Sequence, residues 1–405
     1  MKTTKKKVFK SQIIIAFLLI IAIFMVIFFA KTIHNNKTTT VLFYNLSDTI
    51  QQELQTQITA LKSENINFTV YSNKKELTLK EAKKYDLLFT WKTAHTNSFL
   101  SKALTPQIKY TMPTSIRKAG LIEDELTTVP LLIDNYEIAY YRTYRNIANL
   151  QIPTTIAEFE RYLQAQKEYA QYPLVCAGSN DKTLLAFISA LVESYCGAPG
   201  YQTLIKSCTQ LQDFEKILDI PLLTAESNSK GLDTTTLRIL LDKIKSWQRD
   251  ELIMPQWYTL KEADIDLYMQ KHLVSAIFMS LSEHRTKEFI LIKYYDSARF
   301  PINQNIKNHA LIAPILEGIL FSNKAGEQDL LAELLSDANQ ASLSTKTMLA
   351  PVTSHAIPND SQADDVRFWA ASCSAGPVTD LFDAAFTNKE EASNFAKNIR
   401  NYLRK

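Results

Sequence analysis

Asp264 and Asp266 form an Asp-x-Asp pair, a carboxylate spacing that can hold a metal-bound nucleotide for glycosyl transfer. They fall within a helical pattern, which instead gives a solvated helix face. Ser179 follows Gly178 but lacks the second glycine of a nucleophile elbow. The six histidines, among them His95, His272, His284 and His355, show neither HExxH nor any paired spacing. Cys176, Cys196, Cys208 and Cys373 match no zinc motif; Cys196 and Cys208 either close a short disulfide loop or are buried free thiols. Glycine is scarce, 8 of 405 residues, well under an average of roughly 7%, which counts against phosphate-binding loops. These residues imply no catalysis, no cofactor and no metal.

The stretch that organises the chain is Val129–Tyr141, VPLLIDNYEIAYY, which reads as one long apolar strand broken by Asp134-Asn135. On residue type alone a carboxylate there marks a bend or bulge open to water. Further on, Thr155 caps a helix and Glu158 reaches back to complete a capping box.

The elements that must position these residues alternate. Val41–Asn45, Ile66–Tyr71 and Leu87–Trp91 read as strands, with helices over Ser47–Leu61 and Leu79–Lys84 between them, the order of a mainly parallel α/β lobe. Pro173–Ala177 reads as a strand leading through Gly178–Asp181 into a helix from Lys182 to about Tyr195, with Ser179 and Asn180 as caps. Leu237–Trp247 is an amphipathic helix, Ala276–Met279 a strand, Leu311–Phe321 an apolar return segment and Glu327–Leu335 a helix. Helices over Val378–Phe386 and Lys389–Leu403 end the chain.

At the N-terminus Ile13–Ala30 is an uninterrupted apolar run of 18 residues, long enough to span a bilayer. Five lysines precede it and only Lys31 follows closely, which places the N-terminus inside and the rest outside. The long run and Phe28 before Ala30 favour a retained anchor over a cleaved signal peptide. No cysteine follows for a lipid. The formal charge of +3 belongs to this anchor, since residues 1–31 hold six lysines and no acid. The remainder carries no basic stripe, so nucleic acid is not an expected partner.

The series around the broken strand resembles the crossover segment of extracellular solute-binding proteins of ABC importers, the maltose-binding-like class. Tyr140-Tyr141 stand where the family has Tyr-Asn, and Pro153-Thr154-Thr155-Ile156-Ala157-Glu158-Phe159 follows its Pro-x-Thr-hydrophobic-x-Glu helix start. Tyr85–Trp91 is similar to its Pro-Asp-hydrophobic strand, and Ala276–Met279 to its Ala-x-Met strand, although Ser280–His284 replaces the usual Gly/Trp loop.

The resemblance implies an α/β, two-lobed periplasmic-binding-protein fold with a ligand cleft, in a bacterial protein. It places residues 38–128 in the first lobe, completed by about 308–345, and 129–307 in the second, completed by about 346–405. Residues 1–10 are cytoplasmic, 11–31 the anchor and 32–37 a tether. It implies a small solute, a carbohydrate foremost, and ABC permease subunits as partners. Ligand contacts are expected from Asn45, Trp91, Asp134, Tyr136, Asn180, Asp181 and Trp369, with packing as the other reading of Trp91 and capping that of Asn180. The competing functions are a scaffold or sensor with a degenerate cleft, and an anchored glycosyltransferase or hydrolase.

Overall fold

The computed structural model describes residues 38–61, 66–71, 76–100, 103–106, 111–122, 125–211, 213–223, 234–287, 289–322 and 325–405, with Met25. The expected anchor, Met25 apart, lies outside these residues. Among the described residues no helix is long and apolar enough to cross a membrane.

The chain opens as expected, with β1 (Thr39–Tyr44), α1 (Asp48–Leu61), β2 (Ile66–Tyr71) and β3 (Leu87–Trp91), and β1 pairs in parallel with both β2 and β3. Val41 and Phe43 enter one apolar cluster and Leu42 and Tyr44 another, so β1 is buried on both faces and lacks polar alternation. Next come β4 (Val129–Ile133), β5 (Tyr136–Tyr141), α2 (Ile156–Gln166), β6 (Tyr172–Cys176), α3 (Asp181–Gln210), α4 (Leu237–Arg249) and α5 (Glu262–Gln270). After these lie β7 (Val274–Ser280), α6 (Leu281–Thr286), β8 (Tyr295–Arg299), β9 (Ala310–Ile312) and β10 (Ile315–Leu320). The chain ends with α7 (Ala325–Leu334), α8 (Asp337–Thr347), β11 (Ala350–Pro351), α9 (Ser361–Ser372), β12 (Gly376–Val378), α10 (Leu381–Ala384) and α11 (Lys389–Arg404).

Two sheets hold all of these strands but β9 and β12, which pair with each other. One has the order β11-β4-β10-β3-β1-β2 and the other β8-β5-β7-β6, and each belongs to its own apolar core. The run expected as one strand over 129–141 is therefore two strands in different sheets: β4 pairs with β10 and β11, while β5 pairs with β7 and β8. The crossing expected at Val129 comes instead at Asp134. Of the residues expected to close the second lobe from 346 onward, those up to α9 join the first instead, with Ala363, Val366 and Ala370 buried in its core, whereas Leu381 and α11, through Phe395 and Ile399, pack in the second core. Between the lobes the three crossing segments lie side by side, with Asp134 N donating to Pro314 O at 2.9 Å and Ala313 N to Val378 O at 2.8 Å.

The helix from Asp181 ends where it is expected to, just past Tyr195, at the non-helical Gly197, and a second helical segment continues to Gln210; α3 denotes the two together. Gly197 has φ of 69°, and a Cβ there would stand 2.6 Å from Ile306 Cγ2 and 2.7 Å from Asn308 O, so only glycine fits. Pro199 then enters a new helical turn, where its missing N–H is no loss. All four cysteines are buried free thiols, so the Cys196–Cys208 disulfide is not formed.

Candidate ligand cleft

The parallel strands of the first lobe end at Tyr44 and Trp91, and those of the second at Cys176 and Ser280. Loops beyond such carboxyl ends are where open α/β sheets take ligands. A cavity of about 210 Å³ lies there, between Tyr44, Asn45, Thr93 and His95 of the first lobe and Phe382, Asp383 and Phe386 of the second. Asn45 adopts φ of 56°, a left-handed conformation that asparagine tolerates. A second cavity of about 350 Å³ shares Thr93 and passes under Lys92 and Lys118 to Gln202 and Thr379.

The second-lobe wall is set by α3. Ser189 Oγ accepts from Leu381 N at 2.8 Å, and Tyr201 OH donates to Thr379 O at 2.8 Å. This seats α10 so that Lys182 Nζ lies 2.6 Å from Asp383 Oδ2. Asp380, fully buried, caps α10 by accepting from Asp383 N at 3.3 Å, while its Oδ2 has no hydrogen-bond partner among the described residues. Burial pushes the Asp380 carboxyl up to about 7; the Lys182 ammonium opposes this and the Asp383 carboxylate adds to it. Burial drags the Lys182 pKa down, but the two carboxylates outweigh it and hold the ammonium above its usual value. One cation thus serves two acids.

Asp134 spends both carboxylate oxygens on α6: Ser282 N donates to Oδ1 at 2.9 Å and Ser282 Oγ–H to Oδ2 at 2.7 Å. Burial raises its pKa against these two bonds. Tyr136 is buried with its ring stacked 5.6 Å from Phe278. Burial, then Asp380 and Asp134, push its phenol well up. Asn180 caps α3 by accepting from Lys182 N at 2.9 Å and Thr183 N at 3.3 Å. Asp181 pairs with Arg400 at 2.6 Å. Trp91 and Trp369 pack half-buried against the first core, and neither ring lines the two cavities. Of the seven expected contacts, the structure brings Asn45 into the cavity wall and Asp134 and Tyr136 beside the Lys182 cluster. The aromatic surface comes from Phe382 and Phe386, which the sequence reading placed only in a closing helix.

Asp134→Ala is expected to lower stability by about 1–3 kcal/mol, because Ser282 N–H and Oγ–H lose their acceptors. A thermal melt unchanged by the substitution would overturn this structural role and return Asp134 to ligand binding.

Among the described residues the other polar clusters do not assemble a reaction centre. Asp264 accepts from Lys261 N at 2.9 Å and Asp266 pairs with Lys287 at 2.6 Å, as expected of a helix face. Glu137, His284 and Ser297 meet in the second lobe, but carboxylate and hydroxyl both sit on His284 Nδ1, at 2.7 and 3.1 Å. A Ser-His-Asp relay needs them on opposite ring nitrogens.

No protein-family model matches the chain, and no curated protein is similar to it in sequence. Solved structures do share its shape. The bacterial solute receptor AcbH, described by its exclusive preference for β-D-galactopyranose, is 12% identical with a TM-score of 0.70, over 91% of this chain and 98% of its own. RafE in complex with raffinose is 12% identical with a TM-score of 0.60, over 90% of this chain and 94% of its own. The sugar transporter protein BL01359 of Bacillus licheniformis, in complex with stachyose, is 12% identical with a TM-score of 0.56, over 90% of this chain and 100% of its own. The chain has the two-lobed α/β fold of bacterial solute-binding receptors.

Proposed function

We propose that this protein is an extracytoplasmic solute receptor that takes a small carbohydrate between its lobes and presents it to an ABC permease. In this reading the Ile13–Ala30 run holds it at the outer face of a bacterial cytoplasmic membrane. The observation that carries it is the interlobe cavity at the strand ends, where Phe382 and Phe386 stand among Asn45, Thr93 and Asn388. A pyranose presents C–H faces to rings and hydroxyls to amides and alcohols, which this mixture suits. A solute held there touches both lobes at once, and no chemical step is needed to take it up. The fold shared with sugar receptors supports the same ligand class.

A specific observation favours a second reading, an envelope scaffold or sensor that no longer transports. The cavity of about 210 Å³ is smaller than the roughly 300–1,000 Å³ of common ligand pockets, and Asp134 and Asp383 already have partners.

Thermal melts of the full-length protein across mono- and oligosaccharides, amino acids and polyamines separate the two. A sugar at a hundredfold over its Kd is expected to add about 2.7 kcal/mol of stability. Cooperative melts that no solute moves would reject the receptor and favour the scaffold.

A further inference from the structure

Helix α6 leaves the second lobe's strand β7 but packs into the first lobe. Leu281 is fully buried and belongs to the first core, with Ile133, Leu343 and Leu349. The Arg285 side chain is 4% exposed, and its acceptors all come from the first lobe. Its Nη1 donates to Ser344 O at 3.3 Å and Leu349 O at 3.2 Å, and Nη2 pairs with Asp360 at the start of α9. On its other side α6 is held by the second lobe and the crossing: Leu281 N donates to Asn135 O at 2.8 Å, and His284 Nδ1 lies 2.7 Å from Glu137 Oε1 of β5.

A guanidinium with five fixed donors is tolerated in the interior only while its acceptors stay in place. Rotating the lobes apart would draw Arg285 away from both carbonyls and Leu281 out of an apolar core. Each anchor alone resists the motion, and one short helix carries both. We propose that α6 is an interlobe latch: Leu281 and Arg285, fed from the second lobe and buried in the first, fix the relative orientation of the lobes without any ligand. This inference does not depend on which solute, if any, the cleft takes.

The test is double electron–electron resonance on the full-length chain. The native cysteines are all buried, so spin labels at Thr49→Cys on α1 and Lys397→Cys on α11, both exposed, report one distance between the lobes. The latch predicts a single narrow distance that a panel of sugars leaves in place, and a broadened or split distribution after Arg285→Ala. Should Arg285→Ala fail to fold, Asp360→Asn decides: asparagine also caps a helix, so α9 is kept while Arg285 loses its counter-charge, and broadening is again expected. Two distances in the parent protein would overturn the latch. So would a distribution unchanged in a folded Arg285→Ala, or in Asp360→Asn where the alanine variant does not fold.

Discussion

Glu193→Ala should lower the free energy of unfolding by about 3–5 kcal/mol, the usual cost of breaking a buried ion pair from one side. Glu193 is 4% exposed on α3, and its Oε1 accepts from Ala310 N at 2.7 Å and lies 2.9 Å from His309 Nδ1. The opposite ring nitrogen, Nε2, faces Asn303 O at 3.1 Å. Two acceptors at two ring nitrogens call for the doubly protonated imidazolium. Burial pulls the His309 pKa down, but the Glu193 carboxylate and the Asn303 carbonyl hold it above its usual value. Alanine would strand both the imidazolium and the Ala310 N–H next to β9, the strand that pairs with β12 at the crossing. Glu193→Gln should cost less, since the carboxamide oxygen still accepts from Ala310 N. Urea denaturation of the three proteins measures the order. Equal stability of Glu193→Gln and the parent would mean that no charge is at work in the pair.

The opening α/β alternation was legible because each of its elements is local: α1 places Ile50, Leu54 and Ile58 on one buried face. The capping box at Thr155 and Glu158 was equally plain, and it forms, with Glu158 N donating to Thr155 Oγ1 at 3.3 Å. What the sequence hid was which sheet a strand joins. An unbroken apolar run over 129–141 looks alike as one strand or as two in different lobes, and Asp134-Asn135 was the single local sign of the division. Candidate contacts failed for a related reason. Leu87, Leu88, Phe89 and Thr90 are all buried, so β3 shows no alternation from which the side faced by Trp91 could be read. The Lys182–Asp383 pair joins residues 201 apart, and no spacing rule reaches that far. The one usable clue near it was Asp380-x-x-Asp383 before a helical turn, which reads only as a cap.

That same cluster makes stability fall as pH rises from about 5 to about 8. The Asp380 carboxyl, at about 7 in the folded protein and roughly 3.9 in the unfolded chain, holds a proton across this window that the unfolded chain has released. Its contribution is therefore complete at low pH and lost as pH climbs through the folded value. His309 acts with the same sign, because its raised pKa gives stability that is present below roughly 6.5 and lost above the folded value. Asp134, Glu283 and Glu317, all raised by burial, act with the same sign. The opposing case is Asp296: burial pushes it up, but Arg142 and Arg145 outweigh that and hold it down, so its stability is lost only on acidification below the ordinary carboxylate range. With about 1.4 kcal/mol for each pK unit, the acid side should be favoured by roughly a few kcal/mol. Asp380→Asn isolates the largest share, since asparagine keeps the oxygen that accepts from Asp383 N but carries no charge. The variant is expected to melt higher than the parent at pH 8 and to show a flatter profile toward pH 5. A parent whose Tm does not fall between pH 5 and 8, or a variant with an undiminished slope, would mean that Asp380 is already ionised across the window, held so by Lys182. The cleft wall would then carry two carboxylates against one cation throughout, instead of the balanced Lys182–Asp383 pair that a protonated Asp380 leaves.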